Sequence, residues 1–324
     1  AHYLRGAAYP VGGASRIAET IAPVIERTGG EMLTNAEVTE IIIENERAVG
    51  VRLVDGRELR APVIISNAGV INTFEQLVPA PLAQSIGYAT KAREIGASVA
   101  HLSLYVGLKG TTEELQLEKT NLWIYPDQNH EKNFQRFLGD VNAPFPMVYL
   151  SFPSAKDPDF ERRYPGKSTI EAITMGSYDS FRRWENTSWK KRGPEYDELK
   201  ESLTERLLDK IYEHAPATRG RVEVAELSTP LSTRNFAAHP EGAIYGLSHD
   251  AHRYEQRWLR PQTPIKGLYL SGADVVSAGV VGAMMGGFIC SSAVLRGNVL
   301  GQVLKHQAQT LRDNPPSTHK AAPA

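Results

Sequence analysis

The stretch LYLSGADVVSAGVVGAMMGGFICSSAVL, Leu268 to Leu295, decides how this chain is read. Leu268–Leu270 is apolar and β-prone, Ser271 to Ala278 is a small-residue turn holding a single acid, Asp274, and a helix opens at Gly279-Val280-Val281-Gly282-Ala283. A helix start presents backbone N–H groups without intrahelical partners and a partial positive charge, which suits an anionic or electron-rich ligand group. Small residues there let such a group come close to the backbone. The pattern is therefore strand, glycine turn, helix, with ligand chemistry at the helix start. The uncharged run Val275–Leu295 is also the one stretch to weigh as a membrane span, but its glycines and serines favour a helix packed in a core or against a cofactor.

Outward from that stretch, the composition sets limits. The chain has 324 residues, enough for two domains, with 41% hydrophobic and 23% charged residues as in a soluble globular protein. Its 36 Lys and Arg against 37 Asp and Glu leave no field to draw it onto nucleic acid. The single cysteine, Cys290, rules out an internal disulfide framework, a CxxC redox pair and a thiolate zinc cluster, and reads as core packing.

Upstream, YPVGG (residues 9–13) precedes a helix with Ser15 as N-cap and Ile17, Ile21, Val24 and Ile25 on one stripe, ended by Gly29-Gly30 and interrupted by Pro23. Short β-prone runs follow: MLT, a meander over VTEIII, AVGVRLV and RELR, then Val63–Ile65, whose continuous apolar character predicts a strand buried on both faces. From about residue 96 the texture changes to long strands (SVAHLSLYVGL, NLWIYP, MVYLSFP, STIEAITM) between polar loops, and predicts a separate antiparallel sheet. Tyr196, Leu199, Leu203, Leu207, Leu208, Ile211 and Tyr212 form the apolar stripe of a helix that should cover it. Ile265–Leu270 reads as a strand, and Gln307–Ala324 as a disordered tail.

This order of elements resembles the flavoprotein family of phytoene desaturases, carotenoid isomerases and amine oxidases. VIISNAGVINTFEQLVP, SFPSAKDPDFERRYPGKST, PEGAIYGLSHD and TPIKGLYLSGAD resemble its retinol-saturase-like branch, over about residues 7–300. The resemblance implies a mixed α/β fold: the C-terminal part of a Rossmann-like FAD-binding domain, with an inserted antiparallel-sheet substrate domain. The implied boundaries are 1–95 and 256–300 for the FAD part, 96–255 for the insert and 301–324 for the tail. It also implies FAD as cofactor, with Gly12 and Gly13 near the flavin or substrate entrance, Val38 pairing its backbone with adenine, and Asn67 and Ala68 lining the cofactor from a strand end. Gly272, Asp274, Gly279, Val280, Gly282 and Ala283 would surround the ribityl and isoalloxazine, Asp274 through hydrogen bonds to ribityl hydroxyls. The GxGxxG fingerprint for pyrophosphate is missing, since no GxG occurs in the chain, and the resemblance implies a nucleotide-binding segment ahead of Ala1.

The implied activity is hydride transfer from flavin to a C=C bond of an apolar polyene, a retinoid or carotenoid, with NAD(P)H one candidate electron donor. The alternatives are a carotenoid desaturase or isomerase, and a non-catalytic lipid-binding or partner-binding module. No catalytic residue is assigned. Trp123, Tyr125, Phe145, Tyr149, Phe152, Tyr178, Phe181, Trp184 and Trp189 suit either a polyene tunnel or an ordinary core. FRRWENTSWKKRG (181–193) mixes Trp with cations and reads as a solvated loop or a peripheral membrane contact, which leaves a cytoplasmic or peripherally membrane-associated protein as the expectation. His239, His249 and His252 with Glu241 and Asp250 read as polar loop residues rather than metal ligands.

Overall fold

The computed structural model describes residues 8–313. In chain order the first elements are helix α1 (Ser15–Arg27), strands β1 (Val38–Glu44), β2 (Arg47–Leu53), β3 (Glu58–Arg60) and β4 (Ile64–Ser66), and helices α2 (Ala80–Ile86) and α3 (Tyr88–Ile95). Then come strands β5 (Ala100–Lys109) and β6 (Leu122–Ile124), helix α4 (His130–Gly139), strands β7 (Val148–Ser151) and β8 (Lys167–Gly176), helix α5 (Pro194–His214), strand β9 (Val222–Ser228) and helix α6 (Pro230–Ala237). Strand β10 (Leu268–Leu270) and helices α7 (Gly279–Leu295) and α8 (Val299–Asp313) complete the chain.

These elements gather into two units. A sheet unit holds the described part of Ala1–Asn35 with Val99–Ile244, and a glycine-turn unit holds Ala36–Ser98 with the described part of Tyr245–Ala324. The divisions thus fall close to residue 96 and some ten residues before 256, while residues 8–35 group with the inserted sheet rather than with the meander.

In the sheet unit, five antiparallel strands run in the order β6-β7-β8-β5-β9. Alternation along β5 and β8 gives the sheet two unlike faces. Leu102, Leu104, Val106 and Leu108 of β5, with Ile170 and Ala172 of β8, form a core with Leu203, Leu207 and Ile211 of α5. The predicted stripe on α5 therefore covers the sheet as expected.

The glycine-turn unit contains the meander β1-β2-β3 and a parallel pair, β4 beside β10. Asn45 and Glu46 take φ of 50° and 60°, the left-handed pair that turns β1 tightly into β2. Ile41, Val70, Phe74, Tyr88, Ile265, Leu268 and Leu270 share its core.

Several local expectations are corrected. Met32–Thr34 is not a strand; Met32 and Leu33 are exposed, and among the described residues no strand pairs with them. Strand β4 is not buried on both faces, because Ile65 is 50% exposed and β10 is its sole ladder partner among the described residues. Ala14 rather than Ser15 is the N-cap of α1, and the helix runs on through Pro23. Residues 307–313 belong to helix α8 instead of a disordered tail, and 314–324 lie outside the described residues. Among the described residues no single helix is long and apolar enough to cross a membrane; α7 with the first part of α8 passes by length and composition only as a pair bent by 112°.

Candidate functional site

The strands β4 and β10 run parallel in register Ile64–Ser66 with Leu268–Leu270, so their C-terminal ends lie side by side. Such ends are where open α/β sheets hold ligands. The turns leaving them, Asn67–Gly69 and Ser271–Val276, are locked together. Ser271 N–H donates to the Ser66 carbonyl (2.9 Å), and the Ser66 and Thr73 hydroxyls share a hydrogen bond of 2.7 Å. A β-carbon on Gly272, whose φ is 90°, would overlap the Asn67 side-chain oxygen, so only glycine brings these turns so close.

Asp274 is buried beneath this surface. One carboxylate oxygen accepts the Val70 N–H (2.9 Å) and the other the Leu247 N–H (3.1 Å). Glycines at 69 and 246, both at positive φ, clear the space for it. Asp274 is thus a staple between two loops of its own unit, each carboxylate oxygen accepting one backbone N–H. Arg253, 3% exposed, closes the turn from the other side: its Nη2 donates to the carbonyls of Ala273 (2.7 Å) and Asp274 (2.8 Å), and its Nη1 to that of Val276 (3.4 Å). Its Nε finds no acceptor among the described residues. Nothing in HDAHRYEQR marks Arg253 as buried, and sequence reasoning missed it; the Asp250 cap on its N–H (3.0 Å) is the one local cue. The neighbouring His249 is held below its ordinary pKa by burial and by the Arg253 charge.

Helix α7 lies against this turn through its glycines. A β-carbon at Gly286 would collide with the Gly272 backbone, and one at Gly282 with the Ser277 carbonyl. Its first turn has no side-chain cap, and Gly279, Val280 and Val281 are exposed there. The structure therefore brings Asn67, Gly272, Asp274 and Gly282 to one place and leaves Asn67, Ala68, Gly279 and Val280 open to a ligand, with Ala283 half-buried. Val38 starts β1 opposite Leu53. Gly12 and Gly13 belong to the sheet unit, where Gly12 N–H donates to Asp157 Oδ1 (3.0 Å). Cys290 is buried, and burial pushes its thiol pKa up.

The open face of the five-stranded sheet carries chemistry of its own. Glu171 on β8 stands between Ser151 of β7 and Tyr105 of β5 in register. Lys156 donates to Ser151 Oγ (2.7 Å) and to Asn121, and Ser154 ties its turn to β8 by exchanging hydrogen bonds with Thr169. On the same side of β5, the buried Ser103 hydroxyl and His101 Nδ1 have no hydrogen-bond partner among the described residues. Of the expected aromatics, Phe145, Phe152, Tyr178, Phe181 and Trp184 are core residues, whereas Trp123, Tyr125 and Trp189 are exposed. A lone acid in STIEAITM was the available signal for Glu171.

Among the described residues no three His, Cys, Asp or Glu side chains gather as metal ligands; His239 lies in the sheet unit and His249 and His252 in the other.

No family model matches the chain. Over 92% of its length it is 36% identical to an all-trans-retinol 13,14-reductase of Macaca fascicularis, covering 51% of that protein. It is 33% identical to an inactive all-trans-retinol 13,14-reductase of Danio rerio (91% of this chain, 50% of that one) and 27% identical to a prolycopene isomerase of an Oncidium hybrid cultivar (89% and 46%). The chain thus spans about half the length of the curated relatives it matches. Its fold is similar to that of an oxidoreductase from Methanosarcina mazei (TM-score 0.53, 20% identity, 86% of this chain and 53% of that one) and of a putrescine oxidase variant (TM-score 0.51, 14% identity, 89% and 54%). Over nearly all its length, the chain is similar to all-trans-retinol 13,14-reductases, and its mixed α/β fold is similar to that of the Methanosarcina mazei oxidoreductase and the putrescine oxidase variant.

Proposed function

We propose that this chain forms the flavin-contacting and substrate-binding part of an FAD-dependent oxidoreductase that reduces a C=C bond of an apolar polyene, a retinoid or a carotenoid. The observation that carries this reading is the uncapped, exposed start of α7 against the clamped 272–276 turn. Bound FAD would supply hydride at its N5, with NAD(P)H proposed as the source of its electrons. The chain's own residues provide the surface. The N–H groups at the start of α7, which lack intrahelical partners, would face an electron-rich ring edge with Asn67 and Ala68 bordering it, while Asp274 and Arg253 hold the turn rigid from beneath. Relatives named for retinol reduction favour reduction over isomerisation, while the prolycopene isomerase relative keeps isomerisation as the second reading. Incubation of the protein anaerobically with reduced FAD and either all-trans-retinol or a carotene tests both. The expected product gains two hydrogens; a product of unchanged mass would favour isomerisation, and no product from either substrate would contradict both.

Peripheral membrane contact is part of the proposal, but through different residues from those first expected. Trp184 is 6% exposed and packs in the core, so it cannot reach lipid. Trp189 (46% exposed) instead pairs edge-on with Phe236 (68% exposed) at 5.1 Å, with the Lys190 ammonium 4.5 Å above the Trp189 ring. An exposed aromatic pair beside a cation suits an anionic lipid surface, which supports the reading of a cytoplasmic or peripherally membrane-associated protein. Trp189→Ser with Phe236→Ser should abolish sedimentation with anionic liposomes, whereas Trp184→Phe should leave it intact.

A further inference from the structure

We propose that His249 binds the hydroxyl group of the polyene, so that the site takes a polyene alcohol in preference to a hydrocarbon. This rests on the polyene-reduction reading above and narrows its substrate class; every residue involved belongs to the glycine-turn unit.

The backbone around His249 is pinned from several directions. Tyr245 N–H donates to Ser98 Oγ (3.0 Å), Leu247 N–H to Asp274 Oδ1 (3.1 Å) and Ser248 N–H to the Gly96 carbonyl (2.9 Å), while Asp250 Oδ1 accepts the Arg253 N–H (3.0 Å). Arg253 in turn grips the carbonyls of Ala273, Asp274 and Val276. The loop carrying His249 is therefore clipped at both ends to the turn on which α7 packs. Its imidazole has no such ties. Both ring nitrogens are buried and make no well-formed hydrogen bond among the described residues; the Leu247 backbone comes near the ring without completing one. The other two histidines of the region differ: His239 Nδ1 lies 2.6 Å from the Ala243 carbonyl, and His252 is exposed beside Gln256.

A neutral imidazole carries one N–H donor and one acceptor lone pair, and buried polar atoms normally have partners. A fixed loop that withholds both partners points to a group that arrives with the ligand. The surroundings select its chemistry. The rings of Tyr245 and Tyr254 stand steeply inclined to the imidazole at 6.3 and 6.5 Å, and both are surface side chains whose rotation admits an apolar chain. Arg253, Asp250 and Asp274 are the charged groups around the ring. Burial and the Arg253 charge favour the neutral form, against the Leu247 backbone and the two carboxylates. A hydroxyl, which also both donates and accepts, matches that neutral ring. A carboxylate would need the imidazolium that these surroundings oppose, and a hydrocarbon would leave both nitrogens unsatisfied.

Two measurements on the full chain, made without reductant so that no substrate is consumed, test this. In fluorescence titrations, wild type should bind all-trans-retinol about three- to tenfold more tightly than the hydrocarbon in which hydrogen replaces the hydroxyl, as one neutral hydrogen bond supplies. His249→Phe should bind the two alike, with its hydrocarbon affinity unchanged, and His249→Asn should recover part of the preference. In nitrogen NMR of histidine-labelled wild type, the His249 ring resonances should move on adding all-trans-retinol and stay in place on adding the hydrocarbon, a readout that needs no variant to fold. Equal affinities in wild type, a preference kept by His249→Phe, tighter binding of all-trans-retinoic acid than of retinol, or unmoved ring resonances at saturating retinol would each overturn the proposal while leaving polyene binding in place. Binding of neither the alcohol nor the hydrocarbon by wild type would overturn the polyene reading itself.

Discussion

The two units bury their strands by opposite means. In the sheet unit, β5 and β8 pair antiparallel along ten residues each, so alternation supplies one packed face and one open face without help. In the glycine-turn unit, β4 and β10 pair in parallel along three residues each, and Ile65 remains half exposed. A parallel pair that short does not hold its own ends together. Side chains must do it: Asp274 staples the 69–70 and 246–247 loops, Arg253 grips three carbonyls, and glycines let α7 touch the turn. The long strand pair of the first unit is held by area, whereas the ends of the short parallel pair in the second are held by a few polar contacts, beside that unit's own apolar core.

That contrast predicts which single changes matter most. Asp274→Ala strands two buried N–H groups and should cost roughly 2 to 6 kcal/mol, at about 1–3 for each unsatisfied group. Hydrogen exchange should then rise around 66–73 and 271–276 while β5 and β8 keep their protection. Leu207→Ala should do the reverse, costing about 2–5 kcal/mol in the sheet unit by opening a cavity beside β5. Equal loss of protection in both units from either variant would break the distinction.

A smaller effect comes with acid. Burial pushes the Asp157 carboxyl pKa up, but the Gly12 and Asp159 N–H groups and Arg163 outweigh it and hold the value below the ordinary aspartate range. A lowered folded-state pKa contributes stability above the unfolded pKa, and that contribution is lost as pH falls through the folded value. Thermal stability of the sheet unit should therefore decline below the ordinary aspartate range. Asp157→Asn should be less stable at neutral pH and show a shallower acid decline.

The sheet unit was the more legible half, for the same reason that it is self-sufficient. Alternation in SVAHLSLYVGL and STIEAITM and the stripe on α5 each follow from local periodicity. Strand β9 escaped because VEVAELS carries exposed residues on an edge, and α8 because most of its side chains face solvent. At the candidate site, Gly272, Gly282 and the α7 start were readable as small residues before a helix. The job of Asp274 was not, since its partners Val70 and Leu247 come from distant parts of the sequence. Glu171 needed strand register before its place between Ser151 and Tyr105 on the open sheet face became visible.

The most direct measurement of the central claim is residue-resolved hydrogen exchange of the purified chain with and without FAD. Slowed exchange at Gly279–Ala283 and at Asn67–Ala68, with little change along the core strands β5 and β8, is the predicted result. Exchange at those positions unaffected by saturating FAD would contradict it.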